Sequence, residues 1–297
     1  MMMDYVVAGH RFRLIIPDCR ANEFDLSQYA PFIAGDGDGE PIFTLEIVDH
    51  VSEEGASLVY DQKAEAGETK ISLWQTAEGF LFKMAPTSAH PISGLLLMSE
   101  DWSRGRLQIL DPGQALFSLN NSLMLQYAFR TADLGTLEVH ASVVVNDGRA
   151  YLFMAKSGTG KSTHSRMWHK AVPGTRLLND DNPIVRLLPD GQVVAYGSPW
   201  SGKTPCYRNE QYPAGAFVKI VRAPANKLVK LSVFEAYALI YSSSSGFKAD
   251  KRIADGLYNT ISGIVTAVPA YDIECLPNED AARVCHSGIL ADRGGES

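Results

Sequence analysis

The stretch that decides the fold is Arg149-Ala-Tyr-Leu-Phe-Met154-Ala155-Lys156-Ser157-Gly158-Thr159-Gly160-Lys161-Ser162-Thr163. Arg149–Met154 has the length and the aromatic and aliphatic content of a buried strand. The residues after it are small, and Lys161–Lys170 reads as a short helix. A strand, a loop of small residues and then a helix is the setting of a P-loop, with Ala155 standing where the pattern has its first Gly. Small residues let successive backbone N–H groups turn inward onto phosphate oxygens. Gly158 and Gly160 supply that freedom. Lys161 would reach the outer phosphates, the Ser162 hydroxyl would meet magnesium, and the positive end of the helix would face the anion. The expected phosphate-binding set is Ser157, Gly158, Thr159, Gly160, Lys161, Ser162 and Thr163, with ATP and Mg2+ as the cofactors.

Upstream, Leu137–Val145 alternates, with Leu137, Val139, Ala141 and Val143 on one side. Asn146-Asp147-Gly148 is a tight-turn signal, so this run and Arg149–Met154 read as a β-hairpin feeding the loop. Downstream, Leu177–Asn179, Pro183–Leu188 and Gln192–Tyr196 read as strands, the last two joined by Pro189-Asp190-Gly191. Ser232 and Glu235 have capping-box spacing at the start of a helix to about Tyr241. Lys248–Val265 reads as helix, Ala270–Leu276 as strand, Asn278–Leu290 as a last helix and Ala291–Ser297 as a frayed tail. The first 110 residues read as β-rich, with strands at Arg11–Ile16, Pro41–Val48, Ile71–Trp74 and Gly79–Met84. Asp111-Pro112 then opens a helix with Leu116, Leu119, Leu123, Tyr127 and Ala128 on one face. The expected class is α/β (α+β): a β-rich N-terminal domain over 1–130, ending in that helix, and a P-loop domain over 131–297 with a mixed sheet. The acidic turn Asp36, Asp38, Glu40 lacks the remaining ligands of a calcium loop and reads as a solvated turn.

A second segment, Gly197-Ser-Pro-Trp200-Ser-Gly202-Lys203-Thr204, matches the P-loop spelling more literally. Its physics is worse. Pro199 has no N–H to give, Trp200 would crowd a phosphate, and Pro205 follows directly with no amphipathic helix behind it. Its Lys203 could still meet a phosphate or an acidic substrate, as could Arg166 and Arg208, although solvated surface charge is the default for all three. Asn179-Asp180-Asp181 lies about twenty residues past the loop. Carboxylates there suit two tasks: one beside magnesium, the other taking a proton from an attacking hydroxyl. His140 stands on the strand before the loop strand.

The chain of 297 residues carries 34 acidic and 27 basic residues, a net charge of −7, with no basic cluster. That argues against nucleic acid or an anionic membrane as the main partner. The four cysteines form no C-x-x-C pair and read as reduced thiols. No signal-peptide pattern or membrane-length apolar run is present, so a soluble cytoplasmic protein is expected.

In order, His140-Ala-Ser-x-Val, the hairpin, Ala-Lys-Ser-Gly-Thr-Gly-Lys-Ser-Thr, Asn-Asp-Asp, a second hairpin and Gly-Ser-Pro-Trp-Ser-Gly-Lys resemble the HPr kinase-related family, over about residues 137–275. That family shares its P-loop architecture with phosphoenolpyruvate carboxykinase. The resemblance implies that Asp180 is the base, Asp181 the metal-side carboxylate together with Ser162, and His140 a polar group near the transferred phosphoryl, with Lys161 in the catalytic set. The chain departs from the family's pattern at Ala141 and Thr163 and lacks its Gly-rich signature loop, which leaves the acceptor open. The first expectation is a kinase acting on a hydroxyl, serine of a protein or peptide or else a small molecule. A nucleotide-binding regulator without turnover and a carboxykinase-like enzyme are the alternatives, and the oligomeric state is unassigned.

Overall fold

The computed structural model describes all residues except 38, 64–66, 157, 203 and 295–297. The protein is mixed α/β and divides into two compact units, Met1–Arg130 and Thr131–Ser297.

The first unit holds β1 (Met2–Val7), β2 (His10–Ile15), β3 (Thr44–Val48), β4 (Ser57–Asp61), β5 (Lys70–Thr76), β6 (Gly79–Ala85), β7 (Gly94–Met98) and β8 (Arg104–Ile109). Among the described residues they form one sheet in the order β1-β2-β3-β8-β7-β6-β5-β4. The β2–β3 and β3–β8 pairs are parallel. The strands β1, β4, β7 and β8 were not legible in the sequence. The run Gly-Leu-Leu-Leu-Met of β7, for instance, has no alternation and is buried at every position, and a short apolar run of that kind does not declare its period. The Asp111 carboxylate accepts from the Gly113 N–H at 2.9 Å, and α1 (Ala115–Thr131) follows. This helix packs on the sheet as a core element. The Tyr127 hydroxyl donates to the Val7 carbonyl at 2.9 Å, and the Gln126 amide donates to the Trp102 carbonyl at 3.1 Å.

The second unit holds β9 (Thr136–Glu138), β10 (Ala141–Asn146), β11 (Arg149–Met154), α2 (Lys161–Ala171), β12 (Arg176–Asp181), β13 (Ile184–Leu187), β14 (Val193–Tyr196) and β15 (Gln211–Arg222). After these come β16 (Lys227–Lys230), α3 (Val233–Ser243), α4 (Lys251–Ala267), β17 (Ala270–Cys275) and α5 (Glu279–Gly294). The hairpin forms in full register, from Ala141 opposite Met154 to Asn146 opposite Arg149. Asp147 and Gly148 have φ of 46° and 70°. Two positive values in a two-residue connection make a type I′ turn, whose twist matches the strands it joins.

Two expectations need correction, and one strand went unread. Leu137–Val145 is two strands: β9 pairs with β13, and β10 pairs with β11 and β12. The chain changes partners at His140, whose N–H donates to the Ser243 carbonyl at 2.8 Å. Alternation reports which face a residue takes and is blind to which strand lies beside it. Next, β15 went unread because Pro213 and Gly215 look like strand breakers. Gly215 is there for close packing, since a Cβ would come within 3.0 Å of the Tyr151 ring. Last, helix α5 runs through Ala291 to Gly294 and buries Ala282, Cys285 and Ile289, so most of the expected frayed tail is helix. Helix α4 starts at Lys251 because the Asp250 carboxylate caps the Ile253 N–H at 2.9 Å.

Strand β15 organises the sheet. It runs parallel to β11 on one side and to β17 on the other, and its first residues pair with β14. Because β10 is antiparallel to both β11 and β12, those two run the same way. The C-terminal ends of β12, β11, β15 and β17 therefore share one edge, where ligands bind in open sheets of this class. Helices α2 and α5 cover one face over a core that includes Phe153, Trp168, Val218 and Ile273, while α3 packs on α4, which lies against β9 and β13.

Candidate active site at the carboxyl edge of the sheet

The loop between β11 and α2 has Gly158 at φ 73° and Gly160 at φ 126°, a backbone that side chains with a Cβ rarely adopt. No side chain caps the start of α2. The first-turn N–H groups of a helix need partners, and a phosphate is the partner that this loop geometry and helix polarity suit. Ser157 and Lys203, both expected contacts, lie outside the described residues.

Lys161 is half-buried. Its ammonium donates to His140 Nε2 at 2.5 Å and to the Ala155 carbonyl at 3.3 Å. An ammonium can only donate, so Nε2 accepts and the ring proton sits on Nδ1. Nδ1 faces Asp181 Oδ1 at 3.1 Å. Lys161, His140 and Asp181 thus form one directed chain of hydrogen bonds, and one of the three ammonium donors remains for a ligand. Burial lowers the pKa of Lys161, while the charges of Asp181 and Asp180 oppose the shift.

Strand pairing explains the convergence. Ala141 stands opposite Met154 on one side and Asp181 on the other, and Ser142 stands opposite Asp180. His140 precedes β10, the loop follows β11 and the acidic pair ends β12, so all three meet at the same edge. Asp180 is 4% exposed. Asp181 has φ 151°, a backbone strain that persists only where neighbours fix it. The Gly202 N–H donates to the Asp180 carbonyl at 2.6 Å, and Ser201 bridges to Asp181. Behind them, the buried Asn179 amide donates to the Ser198 hydroxyl at 3.1 Å and the Trp200 carbonyl at 3.0 Å, and its oxygen accepts from the Asn182 N–H at 3.1 Å.

The second P-loop-like segment is thus the clamp on the acidic pair. No helix follows it, and Trp200 is buried. Arg166 donates to the Thr163 hydroxyl at 3.3 Å and lines a cavity of about 520 Å³ that does not include His140. Arg208 is exposed and lies 3.5 Å from Glu210.

Two residues escaped sequence reasoning. Arg222, on the unread β15, donates to the Gly158 carbonyl at 3.0 Å and so braces the loop from outside. Glu138 is buried, and its Oε2 has no hydrogen-bond partner. Burial first, and then the charge of Asp181, push its pKa up to about 8. The one available signal was a lone carboxylate between Leu137 and Val139.

Among the described residues no three His, Cys, Asp or Glu side chains are grouped to hold a metal ion. The all-oxygen pair Ser162 and Asp181 fits magnesium, which keeps several waters and takes one or two protein oxygens beside phosphate. No helix among the described residues is long and apolar enough to cross a membrane.

The sequence matches no protein-family model and no curated protein. Among solved structures it is similar to the HPr(Ser) kinase/phosphatase from Coxiella burnetii, at 12% identity, covering 54% of this chain and 94% of that one with a TM-score of 0.33. That is a distant likeness of shape.

Proposed function

We propose that the Thr131–Ser297 unit is an ATP- and Mg2+-dependent kinase that transfers the terminal phosphoryl group to a hydroxyl, on a P-loop domain of the HPr kinase and carboxykinase type. The observation that carries this reading is the hydrogen-bonded chain Lys161–His140–Asp181 set against an uncapped helix N-terminus. A nucleotide-binding protein needs the loop alone. A histidine in one tautomer, held between the loop lysine and a strained aspartate, is arranged for chemistry at the outer phosphate.

Each group has a task. The loop N–H groups and the start of α2 bind the phosphates. Lys161 directs its remaining N–H at the transferred phosphoryl and offsets its charge. His140 fixes the lysine, and Asp181 fixes the histidine. Asp180 accepts the proton of the acceptor hydroxyl as that oxygen bonds to phosphorus and the bond to the ADP oxygen breaks. Ser162 and Asp181 would hold magnesium, which would supply neutralisation of phosphate charge.

The test is to incubate the chain with magnesium and γ-labelled ATP in the presence of a lysate fraction from its source. Label on an acceptor, lost in Lys161→Ala and in Asp180→Asn while the latter still binds ATP, is the expected result. ATP bound with no label moved under any acceptor condition would leave a regulator without turnover. Full transfer by Asp180→Asn would remove Asp180 from the mechanism.

A further inference from the structure

The sheet of the first unit is open, and its two edges are finished differently. At one edge Ile33 bridges to Tyr5 of β1, and the Ala34 N–H donates to the Asp4 carbonyl at 2.9 Å. That edge is covered. At the other, among the described residues, no strand pairs with the outer side of β4. An uncovered edge carries N–H and C=O groups ready to pair with another strand.

Strand β4 reads Ser57-Leu-Val-Tyr-Asp61, and all five residues are exposed. Leu58, Val59 and Tyr60 are 54%, 47% and 57% exposed. Single exposed apolar residues are ordinary, whereas three in a row on a bare edge mark a contact surface. The strand holds neither the Pro nor the Lys that commonly guards an edge. A bulge between Leu58 and Tyr60 bends it, which limits regular pairing to a short stretch.

The flanks decide the occupant. Glu54 stands in the turn before β4 and Lys63 just beyond the strand, both exposed. A second copy laid antiparallel, with a two-fold axis through Val59, sets Leu58 against Tyr60 of the second copy, an apolar cross-strand pair. Ser57 then faces Asp61 of the second copy, whose charge Lys70 already offsets at 3.5 Å. The same register brings Glu54 beside Lys63 of the second copy, and the symmetry makes that contact twice. Laid parallel, the two copies would put glutamate beside glutamate and lysine beside lysine. The strand is therefore complementary to itself in the antiparallel sense, in both apolar surface and charge.

We infer that β4 pairs with β4 of a second copy of this chain, antiparallel about Val59, and joins two eight-stranded sheets across a two-fold axis. Five residues a side fall well below the roughly 20–30 of a standard interface, so the dimer is a weak one. The inference concerns the first unit and stands apart from the kinase reading.

Sedimentation velocity of the full chain, over about 1 to 500 µM, should show a monomer–dimer equilibrium with a Kd on the order of 50 µM. Val59→Lys sets like charges at the axis and should weaken the dimer by about tenfold or more. Glu54→Lys and Lys63→Glu should each weaken it by about fivefold, and the two changes together should restore it. Both flanking residues lie outside β4, so the swap reads the contact even where Val59→Lys disturbs the strand. A chain that stays monomeric to the top of the range overturns the inference. A dimer that Val59→Lys leaves intact forms through another face and overturns it as well. Loss in both single variants without recovery in the double one overturns the antiparallel pairing.

Discussion

Ala155–Ser162 and Gly197–Thr204 have almost the same spelling and opposite fates. The first follows β11 and opens α2, with glycines at positive φ and a helix start that no side chain caps. The second has no helix behind it, buries Trp200 and spends its backbone on Asn179 and Asp180. A phosphate cradle is a set of unspent N–H groups aimed at one point. In the second segment the Gly202 N–H goes to the Asp180 carbonyl, the Trp200 N–H to the Ser198 hydroxyl and the Gly197 N–H to the Glu210 carbonyl. The lesson is that the spelling supplies flexibility, and the neighbouring elements decide what the flexibility is for.

That contrast can be broken by experiment. Lys161→Ala should lower phosphoryl transfer by about 10³-fold, equivalent to about 4 kcal/mol of lost transition-state stabilisation. Lys203→Ala, at the matching place in the second spelling, should leave the nucleotide Kd within about twofold. Equal losses of nucleotide affinity at the two lysines would mean that both segments bind phosphate.

The glycines come next in size. A Cβ at Gly197 would sit 2.0 Å from the Arg208 carbonyl, whereas one at Gly158 meets nothing within 4 Å. Gly197→Ala should therefore destabilise the fold by about 3 kcal/mol. Gly158→Ala should cost about 1–2 kcal/mol through its left-handed backbone alone, with its main effect on nucleotide affinity. Urea denaturation of both variants gives the ranking, and the reverse order would undo the division into clamp and cradle.

Asn179→Ala removes a buried amide from the clamp and should cost about 2 kcal/mol. If the clamp positions Asp181, kcat should fall more than nucleotide affinity does. A stability loss with kcat intact would make Asn179 a structural residue only.

The last effect is on pH dependence. The folded-state pKa of Glu138 is raised from 4.5 to about 8, so the folded protein holds a proton that the unfolded chain has released. The stability linked to this group is fully present below pH 4.5 and is lost as pH rises toward 8, by at most about 1.4 kcal/mol per unit. His164 runs the other way. Burial lowers its pKa from 6.5 to about 4, so its contribution is present above pH 6.5 and is lost as pH falls toward 4. Between the two unfolded-state values the slopes offset each other, and above pH 6.5 only the Glu138 slope remains. Glu138→Gln should flatten the decline between pH 6.5 and 8 in denaturant titrations. Parallel curves for variant and wild type would show that Glu138 is ionised in the folded protein.

Sequence alone carried the hairpin and the loop because their determinants are local. Asp147-Gly148 permits the I′ turn, and small residues next to Lys161 form a recognisable run. The capping box was legible for the same reason: Ser232 and Glu235 bond within one helical turn, the Ser232 N–H donating to the Glu235 carboxylate at 2.9 Å. It also rejected the second spelling, since Pro199 and Trp200 act through their own covalent shape. Tertiary structure alone decided that the rejected segment grips Asp180, that His140 marks a change of strand partner, and that Glu138 lies buried near the charge of Asp181. It also decided that β15 puts Arg222 beside the loop. Each of these depends on residues distant in sequence pairing across strands. A chain read in order carries the side that a residue takes, and only the closed sheet sets what that residue faces.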